Sequence, residues 1–274
     1  MTLADTIKTL KTSAMLLPTE DRAIRLTGID AKLWLQGQIT QDIRNLSASN
    51  PIHGCLCNPK GQIQTILNIY ESDSNLIIIT EHPQILIDRI DQFVIMEDVT
   101  ATLLDEPIIS IQGANATGQF ARDRSGFGGF DSFASPSLPP LNPEHLPALE
   151  ITAGIPRFGQ EIGKKTLPPE LGPAFEAQHI SYTKGCYVGQ EVIHRIHARG
   201  HTNKSWVALT GTEPFTDSQV KAQDQSIGIV HRSAPHPEFG YIASATIKNA
   251  FIEPGTTVSV GNANYTVAEM PLLR

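Results

Sequence analysis

The chain has 274 residues, with 21 Lys and Arg against 28 Asp and Glu, a formal net charge of −7 and three cysteines. This balance argues against a general nucleic-acid binder, which needs a basic face to neutralise phosphates, while leaving room for a local basic pocket that holds a small anion. Three thiols make no disulfide framework, Met1–Leu10 lacks the charged start and apolar run of a secretory signal, and no stretch approaches the roughly 20 apolar residues that span a bilayer, so a cytoplasmic protein with reduced thiols and no membrane partner is expected.

In chain order, Arg22 to Leu26 reads as a strand and Thr27-Gly28 as a turn. Asp30 then has the character of a helix N-cap, and Leu35, Ile39 and Ile43 recur every four residues as one helix face, weakened by Gly37. After the turn Pro59-Lys60-Gly61, the alternation of Ile63, Thr65, Leu67 and Ile69 predicts a half-buried strand. Leu76 to Thr80 is a continuous apolar run of the central-strand kind. Pro83 opens a helix with the stripe Leu86, Ile90 and Phe93. Val99 to Leu104 and Ile108 to Ile111 add two strands, which gives an α+β unit with helices on antiparallel sheet. Residues 125–147, "SGFGGFDSFASPSLPPLNPEHLP", are rich in Gly, Ser and Pro and read as a long connection without regular structure. After Gly200 the pattern turns to short strands, among them Trp206 to Leu209, Gly228 to His231, Tyr241 to Ile247, Thr257 to Val260 and Tyr265 to Ala268. Their spacing fits a small barrel or sandwich.

The stretch "KGCYVGQE", residues 184–191, is where chemistry concentrates. The helical spacing of Val192, Ile193 and Ile196 predicts a helix beginning near Val188 to Gln190. Cys186 would then precede a helix N-terminus, whose unpaired N–H groups favour a thiolate, and Lys184 adds positive charge nearby. Gly185 and Gly189 keep the approach to the sulfur open. The alternative is a small apolar side chain packed beneath a turn, and spacing alone does not separate the two. His179, His194 and His197 lie near Cys186 in sequence, which is not yet a hydrogen-bonded triad. His194 and His197 resemble half of a metal site with no second ligand cluster. His53, Cys55 and Cys57 alternate and so share one strand face, again without a partner motif. No metal site is expected, and three thiols fall short of the four that an ordinary iron–sulfur cluster takes.

The same signature resembles that of the YgfZ family, relatives of the glycine-cleavage T-protein. The resemblance extends through "IRLTGIDAKLWLQGQITQDI" (24–43), "CNPKGQIQTILNIY" (57–70), "AGIPRFGQEI" (153–162), "HARGHTNKSW" (197–206) and the C-terminal "GIVHRSAPHPEFGYIASATIKNAFIEPGTTVSV". It implies an α+β fold of three subdomains in a ring around a central folate cavity, with residues 1–202 forming the T-protein-like region and 203–274 a C-terminal β-barrel. It implies binding of tetrahydrofolate or a one-carbon derivative. It also implies a role in assembling or maintaining iron–sulfur enzymes, including those that thiolate tRNA, with client enzymes or assembly proteins as partners and no direct grip on nucleic acid. On this resemblance Cys186 is the functional thiol, with Lys184, Gln190 and Glu191 beside it in the signature. Glu170 in "LPPELG" is the candidate for the pterin edge, Arg199 for the glutamate tail, and Gln38 and Tyr187 are further folate contacts. T-proteins carry an acidic pair on the strand after the glycine-rich turn; here Thr65 and Ile66 occupy those positions, and neither can ionise. Aminomethyl transfer of the glycine-cleavage type is therefore not expected. A folate-dependent aminomethyltransferase or demethylase is the alternative, and a folate sensor that only binds is a third reading.

Overall fold

The computed structural model describes residues 1–73, 75–200 and 202–272, so His201 of the "HARGHTNKSW" block lies outside the described residues. The chain opens with helix α1, Leu3–Thr12, started by a reciprocal cap in which Thr2 Oγ1 accepts from Asp5 N and the Asp5 carboxylate accepts from Thr2 N. Strands β1, Met15–Pro18, and β2, Arg22–Thr27, follow. Helix α2 spans only Ala31–Gln36. Here the structure corrects two expectations. Asp30 has helical backbone and no side-chain cap; its carboxylate accepts from Asp98 N instead. The helix also stops at Gly37, so Ile39 leaves it to bridge Leu56, and Ile43 opens a 3-10 turn. Leu35, Ile39 and Ile43 still share one buried core, which is why their spacing imitates a single helix face.

Strands β3, Ile52–Cys57, β4, Ile63–Ser72, and β5, Asn75–Thr80, continue the chain, followed by helix α3, Pro83–Phe93, and strand β6, Thr100–Leu103. They form an antiparallel sheet in the order β3-β4-β5-β2-β6. One face carries α2 and α3, with Leu35 and Leu86 packed over Leu67, Ile69 and Ile78. The other face is covered as well: Asn68 and Tyr70 are buried. The strand predicted to be half-buried is thus buried on both sides, because the remaining units of the protein pack against the face that carries its polar residues.

Strands β7, Ile109–Gln112, β8, Phe120–Ala121, and β9, Gly129–Ser132, join β1 in a second sheet, β1-β7-β9-β8. Strand β9 lies inside the 125–147 segment and overturns its reading as irregular throughout. Gly129 acts there as a spacer, since a Cβ on it would lie 2.3 Å from the Gln112 amide. Buried carboxylates of Asp21 and Asp131 converge on Arg122 and Arg124 within this unit. Helices α4, Leu146–Ala153, α5, Pro173–His179, and α6, Gln190–Arg199, lead to the last unit.

That unit is a closed barrel, β10-β13-β12-β11-β14-β15, built from β10, Lys204–Gly211, β11, Gln219–Ala222, β12, Gln225–His236, β13, Gly240–Lys248, β14, Thr257–Val260, and β15, Ala263–Ala268. Closure leaves its strands without a free edge. Arg232 of β12 joins it to the preceding unit through Glu150 of α4 and Glu161, and Ser244 of β13 donates to the same Glu161. Among the described residues no helix is long and apolar enough to cross a membrane.

Candidate functional site

Two places hold the residues of interest, and they are distinct. The first is the signature loop. Helix α6 begins at Gln190 behind Gly189, as its spacing predicted, and Gly189 has φ +87°. A Cβ on Gly189 would meet Asn58 O at 2.7 Å and Gly61 Cα at 2.9 Å, so "NPKGQ" and "KGCYVGQE" touch glycine to glycine. The loop also lies along residues 36–41. Val188 N donates to Gly37 O and Ser181 N to Thr40 O. Lys184 is buried, and its ammonium donates to Gln36 O at 2.5 Å, Ile39 O at 2.7 Å and Gln41 O at 3.0 Å. Gln36 O is a last-turn carbonyl of α2 and the other two lie in the segment after it, so Lys184 caps the helix end and ties down the chain that leaves it. Its ammonium is thus engaged by backbone of the 36–41 segment. Burial pushes the lysine down to about 8, and the three carbonyls, which can only accept, oppose that shift.

Cys186 is exposed, whereas Cys55 and Cys57 are sealed in the core between the first sheet and the later helices. Burial pushes the Cys55 thiol up to about 12 and Cys57 well above the usual range. Gln190 Nε2 lies 3.3 Å from His194 Nε2, and Glu191 is exposed on the first turn of α6. Tyr187 is buried with Cys55 and Cys57, and its hydroxyl has no protein partner.

The second place is a cavity of about 560 Å3 where all three units meet. Strands β3 and β4 contribute His53, Ile66 and Asn68, the second unit contributes Arg122, α5 contributes Phe175 and His179, and β10 contributes Trp206. His53 Nδ1 lies 2.8 Å from Asn68 Oδ1, and Asn68 Nδ2 donates to Ile79 O. His179 is stacked on Phe175 with ring centroids 3.9 Å apart. Its Nδ1 lies 3.0 Å from Phe175 O, which can only accept, so Nδ1 carries the proton and Nε2 the lone pair. Burial lowers its pKa to about 3, and the ring is neutral at pH 7. Trp206 is buried and its Nε1–H has no protein partner. The cavity is thus walled by aromatic rings, among them a neutral His179 and a Trp206 whose Nε1–H has no protein partner, which fits a flat heterocycle. Of the T-protein acid positions, Thr65 is buried with its hydroxyl 2.7 Å from that of Thr80, and Ile66 lines the cavity, so no carboxylate of β4 reaches it.

None of the eight residues expected to form the site lines this cavity. Glu170 lines a different cleft; its carboxylate accepts from Leu167 N at 3.1 Å and lies 3.8 Å from Lys204 Nζ. Gln38 lines a third cleft, against α3, and accepts from Arg89 Nη1 at 3.3 Å. Arg199 is exposed at the end of α6. Cys186, Lys184, Gln190, Glu191 and Tyr187 belong to the signature loop and the first turn of α6. Among the cavity residues, His53 stood out only as a metal candidate and His179 only as a neighbour of Cys186. Their meeting depends on chain contacts more than 100 residues apart, which no local spacing reveals.

The architecture places the chain in a class. Its fold matches that of the glycine cleavage system aminomethyltransferase T from Bartonella henselae, with a TM-score of 0.80 over 99% of this chain and 90% of that one, at 13% identity. No protein-family model matches the chain. It is 27% identical over 225 residues to an uncharacterised protein of Haemophilus influenzae, covering 75% of this chain and 77% of that protein. Two proteins named tRNA-modifying protein YgfZ are similar as well. The one from Aliivibrio fischeri is 23% identical over 283 residues, covering 90% and 89% of the two chains, and the one from Colwellia psychrerythraea is 25% identical over 239 residues, covering 74% of each. The chain is thus similar to the YgfZ proteins over most of its length and has the T-protein fold.

Proposed function

We propose that this protein binds tetrahydrofolate or a one-carbon derivative in the cavity between its three units, and supports the assembly or maintenance of iron–sulfur enzymes, those that thiolate tRNA included, through Cys186. The observation that carries the folate reading is the cavity between the three units, walled by Phe158, Phe175, His179 and Trp206, whose buried Nε1–H has no protein partner. A buried donor without a partner costs about 1–3 kcal/mol, and a ligand acceptor would recover it. Phe158 and Phe175 would flank the flat ring. A reduced folate would supply a one-carbon carrier there; this chain's residues bind it, orient it and exclude water.

The names of the relatives support the tRNA-modification context. Cys186 stays in the proposal as the thiol that meets a client, because it is the exposed cysteine. Aminomethyl transfer is disfavoured by Thr65 and Ile66, since no acid of β4 stands at the ligand. Thermal unfolding with and without tetrahydrofolate tests the reading. A hundredfold excess over Kd should stabilise the fold by about 2.7 kcal/mol, and an unchanged midpoint at millimolar ligand refutes it.

A further inference from the structure

The chain carries an excess of acid, yet one cleft of about 700 Å3 gathers Lys164, Lys165, Lys204 and Lys248. One wall is the turn region around Gly163 and Thr166; the other is the outward face of β12 and β13, with Ile229, His231 and Thr246. Two acids share the cleft, and both are engaged. Glu161 is buried and accepts from Arg232, Ser244 and Arg157 N. Glu170 accepts from Leu167 N and pairs loosely with Lys204. Lys164, Lys165 and Lys248 have no carboxylate within ion-pair distance among the described residues. Burial lowers the pKa of His231, and its Nε2 lies 2.8 Å from Thr246 Oγ1.

We propose that this cleft binds a compact polyanion, a polyphosphate or an oligocarboxylate, held by Lys164, Lys165, Lys204 and Lys248. A concave basic surface raises the local concentration of such an anion, and each half-solvated contact adds a modest gain that salt screens. The volume falls within the range of small-molecule sites and is too small for a nucleic-acid duplex. Ile229, about half exposed at the rim, supplies an apolar contact for the body of the ligand. This site is separate from the three-unit cavity and stands whether or not that cavity takes a folate.

Titration calorimetry of the full chain with pyrophosphate and with triglutamate, at low salt and in about 0.5 M salt, tests it. Saturable binding of either is expected, weakened at least about tenfold by high salt and by the triple change K164Q/K165Q/K248Q. Those side chains are exposed, so the variant should melt as the wild type does. A preference for pyrophosphate identifies a phosphate ligand, and one for triglutamate a carboxylate ligand. Absence of binding for both at about 10 mM, or binding indifferent to the three substitutions, overturns the proposal.

Discussion

Cys186 stands exposed ahead of α6 while Cys55 and Cys57 are enclosed, a difference that decides which thiol can act. The thiolate is the nucleophile, and burial holds the other two thiols protonated. Iodoacetamide at pH 7 should therefore modify Cys186 first, and Cys55 and Cys57 only after denaturation; peptide mass mapping reads the order. Labelling of all three at one rate would contradict the burial. His179 sets a second residue-scale expectation. Its folded pKa, about 3, lies below the unfolded value of about 6.5. Between those values the unfolded chain binds the extra proton, so stability falls as the pH drops through that window. From pH 7 to pH 5 this one group should cost about 2 kcal/mol. The test is chemical denaturation of the wild type and of His179→Gln at both pH values. The wild type should lose more stability than the variant, and equal losses would show that His179 is protonated in the folded chain.

At the scale of elements, Lys184 joins the signature loop to the early end of α2. A buried lysine on three carbonyls is a structural clamp, and Lys184→Met would leave those acceptors without a donor. The expected cost is about 2–4 kcal/mol in equilibrium denaturation, with the midpoint lowered and the slope unchanged. A variant as stable as wild type but inactive would restore Lys184 to a chemical role. Local pattern was legible wherever it depends on neighbours in sequence. The α6 start followed from Val192, Ile193 and Ile196, and α3 from Pro83 with Leu86 and Ile90, although Phe93 of the expected stripe is half exposed. It misled where the cause is distant. The Leu35–Ile39–Ile43 rhythm hid the break at Gly37, because a carbonyl cap comes from Lys184, about 150 residues downstream. Strand β9 was missed because Gly129 reads as a breaker until Gln112 stands beside it.

On the scale of the whole molecule, the α+β organisation and the terminal barrel were legible, whereas the cavity was not. Its lining comes from His53, Asn68, Arg122, His179 and Trp206, brought together only by the packing of three units. The resemblance to the YgfZ family pointed to a ligand, and its motifs drew attention to Glu170, Gln38 and Arg199, none of which lines that space. The motif blocks divide the work: the 184–191 loop holds units together, whereas Ile66, Asn68, Phe158 and Trp206 from the other quoted blocks line the cavity beside His53, Arg122 and His179. The measurement that bears most directly on this account is calorimetric titration of tetrahydrofolate into the wild type, Trp206→Phe and Glu170→Gln. The account predicts saturable binding to the wild type, a loss of about 0.5–1.5 kcal/mol with Trp206→Phe, and little change with Glu170→Gln. No binding to the wild type, or binding lost with Glu170→Gln and untouched by Trp206→Phe, would contradict it.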